Sequence, residues 1–91
     1  MLHKLMLPSE VRRFVPQMEA SKVSLVARDK GGFLSEYLLY GARMLDEIAP
    51  GGTITWGQKR TNFIRRHLVQ YKKNRTERRR LALIAWAYNP R

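Results

Sequence analysis

The apolar residues of this chain recur every three or four positions, which is the pattern of helices that bury one face. In the first half, the clearest such pattern extends from Phe33 to Ile48. Its apolar positions are Phe33, Leu34, Tyr37, Leu38, Gly41, Met44, Leu45 and Ile48. The pattern predicts one continuous amphipathic helix that ends at the turn sequence Ala49-Pro50-Gly51-Gly52.

Two shorter helices are predicted before it. The segment after Pro8 has a helix-start signal at Ser9, and Pro16 interrupts the apolar pattern after one short helix. A second helix is expected within 17–30, most clearly from position 21 or 22 onward. The Gly31-Gly32 pair is expected to end it, because glycine readily adopts the left-handed conformation that often follows a helix.

The longest predicted helix lies in the second half of the chain. Its predicted N-cap is Thr53 or Thr55, since a hydroxyl oxygen there can accept a bond from a free amide of the first turn. The helix is expected to run to about Lys73, with Asn74 as a left-handed terminator.

The last predicted helix has Thr76 as its N-cap and covers 77–88. Its second half is apolar on all sides, so this half is expected to be buried centrally among the other helices. The only strand-like segment is 52–56, which is too short to outweigh the helices. Residues 1–91 are therefore expected to form a single all-α domain, a compact bundle of four or five short helices.

Charge is distributed unevenly between the two halves. Residues 1–52 hold seven basic and six acidic residues, whereas 53–91 hold eleven basic residues and only Glu77 as an acid. The net charge of +11 therefore resides almost entirely in the second half. Small domains commonly have a net charge of about 2 to 8, so solubility alone does not account for this excess. Because apolar residues are interleaved with the basic ones, we expect these charges on folded helices.

When successive residues are projected at about 100° around the axis, the predicted helix that ends near Lys73 has one apolar and one basic face. Lys59, Arg66 and Lys73 lie on the basic face, about 10 Å apart along the axis. An arginine-rich turn follows, and the planar arginine side chain suits phosphate oxygens. We expect the 59–80 surface to bind the phosphate backbone of DNA or RNA with little sequence preference. The predicted binding residues are Lys59, Arg65, Arg66, Lys72, Lys73, Arg75, Arg78, Arg79 and Arg80.

Two polar residues, Arg60 and His67, fall inside the apolar sector of the same helix. A buried arginine needs a partner, because an unpaired charge is strongly disfavoured in the core. The favoured interpretation pairs Arg60 with a carboxylate of the first half, such as Glu36, Asp46 or Glu47.

A second interpretation concerns the rings of this sector. Trp56, His67 and Tyr71, together with Phe63, form a stripe of side chains that can stack on unpaired bases. Aromatic stripes at helical spacing more often belong to the core, so Trp56, His67 and Tyr71 are secondary candidates for the binding site.

Two alternatives to sequence-independent backbone binding through the 59–80 surface remain open. In the first, the chain is a virion or assembly protein whose basic face docks on an acidic protein. In the second, it is a transcriptional regulator with a helix-turn-helix in 21–40, where Ala27 is packed and Gly31 lies in the turn. The recognition helix would then start near Leu34. The side chains that it would present to bases are Ser35, Glu36, Leu39 and Tyr40.

The sequence offers little for catalysis. It has no cysteine, and its two histidines, His3 and His67, cannot form a convincing triad or metal site. The adjacent Asp46 and Glu47 point in different directions on a helix, which is poor geometry for two metal ions. We expect no enzymatic activity, no cofactor and no metal. No run approaches the length of a membrane span, so we expect a cytoplasmic, nucleic-acid-associated or virion-associated protein.

The order of several segments resembles small uncharacterised proteins of phages and large DNA viruses. These segments are Gly32-Phe33-Leu34, Lys59-Arg60, Phe63-Ile64-x-Arg66-His67, and the run from Leu81 to Tyr88 after the arginine-rich turn. The resemblance covers about two-thirds of the chain and implies a viral or mobile-element origin. It includes no catalytic signature and assigns no role to any residue.

Overall fold

The computed structural model of the chain describes residues 4–23, 29 and 31–90, and within them it is all-α. The α-helices are α1 (Pro8–Arg12), α2 (Val15–Ala20), α3 (Phe33–Tyr40), α4 (Trp56–Lys73) and α5 (Glu77–Ile84). A 3-10 helix, Gly41–Asp46, follows α3 directly. The predicted compact bundle of four or five short helices is thereby confirmed. None of the described helices combines the length and apolar character that a membrane crossing requires.

The first two helices are separated just before Pro16. The amide of Leu7 donates to the Glu10 carboxylate at 2.8 Å, which fixes the start of α1. Pro16 does not interrupt a helix but lies in the first turn of α2. Proline is tolerated there because the amides of the first turn have no acceptor within the helix. The helix expected from position 21 or 22 does not begin there, since α2 ends at Ala20 and Lys22 has a φ of 55°. The rest of that prediction, at 24–28 and 30, lies outside the described residues.

Gly41 divides the helix that was predicted to be continuous from Phe33 to Ile48. Its φ of 71° and ψ of −160° end α3 at Tyr40, and the chain continues as the tighter 3-10 helix. A Cβ at this position would meet no atom within 4 Å, so glycine is required by the backbone conformation and not by space. Ile48, the last residue of the predicted stripe, is 56% exposed.

The turn after the 3-10 helix connects it to α4. Ile48 and Thr55 form a single antiparallel bridge, the only β-type pairing in the described part of the chain. Thr55, not Thr53, is the N-cap, and its hydroxyl oxygen accepts a bond from the amide of Gln58 at 3.1 Å. A Cβ on Gly57 would lie 3.1 Å from the Leu45 carbonyl oxygen, so α4 crosses the 3-10 helix at close range.

The junction of α4 and α5 is short and extended. α4 ends at Lys73 as predicted, but Asn74 has a φ of −149° and is therefore not the left-handed terminator that was expected. Thr76 caps α5 as predicted, since its hydroxyl oxygen accepts from the amide of Arg79 at 3.2 Å. α5 ends at Ile84, four residues earlier than expected, and the chain turns back through Ala87 at a φ of 60°.

The apolar end of the chain occupies the centre of the bundle, as predicted. The buried residues there are Leu81, Leu83, Ile84, Ala85, Trp86 and Ala87. Trp86 packs with Phe33 of α3 and Trp56 of α4 in the larger of two clusters, which also contains Val11 and Met18. This arrangement leaves the polar face of α4 and the first turn of α5 at the surface.

Candidate nucleic-acid interface

Five of the six cations of α4 form two lines along its exposed side, and the sixth, Arg60, is buried. Lys59, Arg66 and Lys73 are all exposed and lie seven residues apart, so successive side chains are nearly in line along the helix. Arg65 and Lys72, also exposed, form a second line about 100° around the axis. All five predicted binding residues of this helix therefore face solvent.

The remaining four predicted binding residues cluster at the start of α5. Arg75 lies over the ring of Tyr71, with its guanidinium carbon 5.5 Å from the ring centre. Arg79 donates from Nη1 to the carbonyl oxygen of Asn74 at 3.1 Å, and Arg78 is exposed beside it. Arg80 is half-buried and pairs with Glu77 at 3.2 Å.

Eight of the nine predicted binding residues are thus exposed, and in the described part of the chain only Arg80 has a carboxylate partner. Arg80 also lies over the ring of Phe14, 5.5 Å from its centre. We assign Arg80 chiefly to the packing of α5 against the N-terminal segment. The other eight side chains keep their charge at the surface.

A cleft of about 740 Å³ lies between α4 and the start of α5, and we refer to it as the α4–α5 cleft. Phe63 and His67 line it from α4, while Arg78 and Arg79 line it from α5. The junction residues Asn74 and Thr76, with the apolar Val23 and Ala82, complete the described lining. The cleft brings together two predicted cations of α5 and one predicted stacking residue of α4.

Four aromatic rings form a continuous stack that leads from the core to this cleft. The centres of Phe33 and Trp86 are 4.7 Å apart, those of Trp86 and Phe63 are 4.6 Å apart, and those of Phe63 and His67 are 3.9 Å apart. The angles between successive ring planes are 22°, 17° and 18°. We call this stack the ring column. Its inner member, Phe33, is fully buried, and its outer member, His67, lines the cleft.

The position of His67 also affects its charge. Burial lowers the pKa of its imidazole, and the nearby Arg66 guanidinium lowers this pKa further. The ring is therefore neutral near pH 7. Positive charge in the cleft comes from the arginines, while His67 contributes a flat, uncharged ring.

Two of the three predicted stacking residues do not have a free ring. Trp56 is only 4% exposed and packs edge-on against Phe33, with ring centres 5.9 Å apart. Tyr71 is 8% exposed and packs with Ile64 and Leu83. For Trp56 and Tyr71 the stacking interpretation is wrong, because neighbouring elements cover their sector of α4. Of the three predicted stacking residues, only His67 lines the α4–α5 cleft.

Arg60 is buried as expected, at 5% exposure, but its contacts differ from the prediction. Nε donates to the carbonyl oxygen of Trp86 at 2.7 Å, and Nη2 donates to those of Ala87 and Lys4 at 3.0 and 3.1 Å. In the described part of the chain, none of the expected partners Glu36, Asp46 and Glu47 contacts the Arg60 guanidinium. Burial lowers the pKa of Arg60, against the opposing influence of the Tyr37 and Tyr88 hydroxyl groups. Arg60 thus connects the two ends of the described chain.

The other sequence-derived sites have limited support. Most of the predicted first helix of the helix-turn-helix, including Ala27, lies outside the described residues. In the predicted recognition helix, Leu39 and Tyr40 are 71% and 52% exposed, whereas Ser35 and Glu36 are half-buried. Over the described part of the chain, no three His, Asp or Glu side chains come together as a metal site.

Comparisons with protein families, with characterised proteins and with solved structures found no match for this chain.

Proposed function

We propose that this protein binds nucleic acid through the exposed cations of α4 and α5, chiefly by contacts with the phosphate backbone. The interface consists of eight residues: Lys59, Arg65, Arg66, Lys72, Lys73, Arg75, Arg78 and Arg79. Binding of this type depends little on base sequence, because phosphates carry no direct sequence information.

The observation that supports the proposal is that these eight exposed cations have no carboxylate partner among the described residues, since Glu77, the acid nearest to them in sequence, pairs with Arg80. In the described residues none of the eight cations forms an ion pair, although the chain has acids that other folds could have placed beside them. Like charges this close repel one another and destabilise the free protein. A polyanion would relieve that repulsion and would release its own condensed counterions on binding.

The spacing of the cations supports a linear anion. Lys59, Arg66 and Lys73 extend over about 21 Å of α4 at 1.5 Å per residue. The phosphates of one nucleic-acid strand follow one another at intervals of several ångströms, so a line of this length spans several of them. Arg78 and Arg79 extend the basic surface from the end of α4 across the cleft.

The test is binding of a random-sequence DNA duplex, measured by fluorescence anisotropy at three salt concentrations. If about six phosphates are contacted, the logarithm of the binding constant should fall with the logarithm of salt at a slope of about −5. The triple variant Arg66→Ala, Arg78→Ala, Arg79→Ala should flatten this slope to about −2.5, because three phosphate contacts are lost.

A charge-matched control separates a local interface from a general effect of net charge. The variant Lys4→Ala, Arg12→Ala, Arg43→Ala removes the same number of charges from exposed positions of the near-neutral half. Its slope should stay close to that of the unmodified protein. Equal flattening by both triple variants would contradict the proposed interface. A lack of binding to DNA and RNA at about 50 mM salt would overturn the function and favour an acidic protein partner.

A further inference from the structure

The ring column and the arginines of the α4–α5 cleft point to a more specific ligand than a phosphate backbone alone. The cleft volume of about 740 Å³ is within the range of small-ligand sites, about 300 to 1,000 Å³. Its lining combines a stacked imidazole with two cations, which are the groups that meet the base and the phosphates of a nucleotide.

We propose that the cleft takes one unpaired base of a single-stranded nucleic acid, stacked on His67 at the outer end of the ring column. Arg78 and Arg79 then contact the phosphates on either side of that base. This inference rests on the proposed function, because it assigns one part of the same surface to a particular form of nucleic acid.

The ring column makes His67 a preorganised platform. The parallel contact with Phe63, at 3.9 Å and 18°, fixes the plane of the imidazole before any ligand arrives. Phe63 is in turn stacked on Trp86, which is 6% exposed and held in the core. A side chain that is already ordered loses little conformational entropy on binding, so more of the stacking energy contributes to affinity.

The position of the arginines suits the phosphates that flank a stacked base. Arg79 donates to the Asn74 carbonyl at 3.1 Å, which holds its guanidinium at the edge of the cleft. Arg78 lines the same cleft from the adjacent position in the first turn of α5. Two neighbouring cations beside one ring thus match the alternation of base and phosphate along a single strand.

A duplex would bind this cleft less well than a single strand. Its bases are already stacked and paired, and extracting one requires breaking these contacts. Stacking of the extracted base on a single aromatic side chain does not fully offset that cost. The duplex therefore has access only to the cations of the surface.

The experiment compares a dye-labelled single DNA strand with a strand of equal length whose bases are replaced by abasic sites. Both carry the same phosphates, so the ratio of their affinities isolates the contribution of the bases. We expect the base-bearing strand to bind about tenfold more tightly, as stacking of one base provides. A 2-aminopurine in the strand should lose fluorescence on binding, because stacking quenches its emission.

Variants identify the platform. His67→Ala should bring the two strands to about equal affinity with little change in the salt slope, whereas His67→Phe should keep the preference because it retains a ring. Gln70→Ala, an exposed change on the same helix, should behave as the unmodified protein. Arg78→Ala with Arg79→Ala should weaken binding of both strands similarly and flatten the slope.

The outcomes distinguish this inference from the proposed function. Equal binding of base-bearing and abasic strands by the unmodified protein, with a steep salt slope, would overturn the base site and leave backbone binding intact. No binding of either strand or of a duplex would overturn both. A base preference that survives His67→Ala would also overturn the assignment, with folding of that variant verified by its thermal melting curve.

Discussion

A ring and arginines come together at both ends of α4 but in different surroundings, and at the second end the arginines belong to α5. At the first end, Trp56 and Arg60 are buried, and Arg60 donates to carbonyl oxygens from both ends of the described chain. At the other end, His67 lines a cleft that also contains the exposed Arg78 and Arg79. What packs over an arginine and a ring thus decides whether these side chains are buried in the core or lie at the surface.

The largest effect should follow from a change at the buried end. Arg60→Met removes hydrogen bonds to the carbonyl oxygens of Trp86, Ala87 and Lys4, of which those of Trp86 and Ala87 are buried. Because bonds to a charged group contribute about 1.5–3 kcal/mol each and a methionine recovers some packing, we expect a loss of about 3 kcal/mol. In a domain of this size, this lowers the Tm by about 15 °C. Urea unfolding and thermal melting measure both quantities.

The matched control is Arg65→Met, five positions further along the same helix at an exposed position. It should change the free energy of unfolding by no more than about 0.5 kcal/mol. Arg60→Lys keeps the charge with fewer donors in a less suitable geometry, so its stability should lie between those of Arg60→Met and the unmodified protein. Equal stability of Arg60→Met and Arg65→Met would show that the hydrogen bonds of the buried Arg60 do not stabilise the fold.

An intermediate effect is expected at the junction that shapes the cleft. Thr76 caps α5 by accepting the amide of Arg79 at 3.2 Å, and it also lines the α4–α5 cleft. Thr76→Ala should reduce the free energy of unfolding by about 1 kcal/mol. Thr53→Ala, at an exposed position that is not the N-cap of α4, should reduce it by less than about 0.5 kcal/mol. Identical losses in the two variants would show that the Thr76 cap does not stabilise α5.

The helices that the sequence predicted well are those with strong local signals. α4 begins after a threonine cap and ends at Lys73 as expected, and Thr76 caps α5, because hydroxyl caps and helical periodicity are encoded within a few residues. The sequence does not indicate the division at Gly41, because a glycine in the apolar pattern is compatible both with a continuous helix and with a turn at a φ of 71°. The sequence does not indicate the early end of α5, because an apolar run has the same composition whether it forms a helix or a buried turn.

The candidate site was predictable in its charges and less so in its geometry. A helical projection separates the basic face of α4 from the apolar face, but it does not show which apolar positions a neighbouring element covers. Trp56 and Tyr71 are covered, while His67 is left beside a cleft. Likewise, Arg60 finds its acceptors 26 and 27 positions away in a turn, whereas its expected partners were carboxylates. Such contacts depend on the crossing of helices, which local patterns do not specify.

The smallest effect concerns the pH dependence of stability at His67. Burial and Arg66 lower its pKa in the folded state, and Arg78 and Arg79 of α5 face the same cleft. In the unfolded chain the pKa returns to about 6.5, so below that pH the unfolded state binds more protons. The stability contributed by neutral His67 is therefore present above about pH 6.5 and is lost as pH falls through the lower folded pKa.

This dependence can be isolated by comparing His67→Phe with the unmodified protein. Free energies of unfolding are measured in urea between about pH 7.5 and about pH 5, and the difference between the two proteins is plotted. His3 and the carboxylates are present in both chains, so their titration cancels in this difference. We expect the unmodified protein to lose stability relative to His67→Phe as the solution becomes more acidic. A difference that does not change over this range, or that changes in the opposite direction, would mean that His67 is as solvated as in the unfolded chain, and the cleft end of α4 would then lack the partly buried ring on which the proposed base site depends.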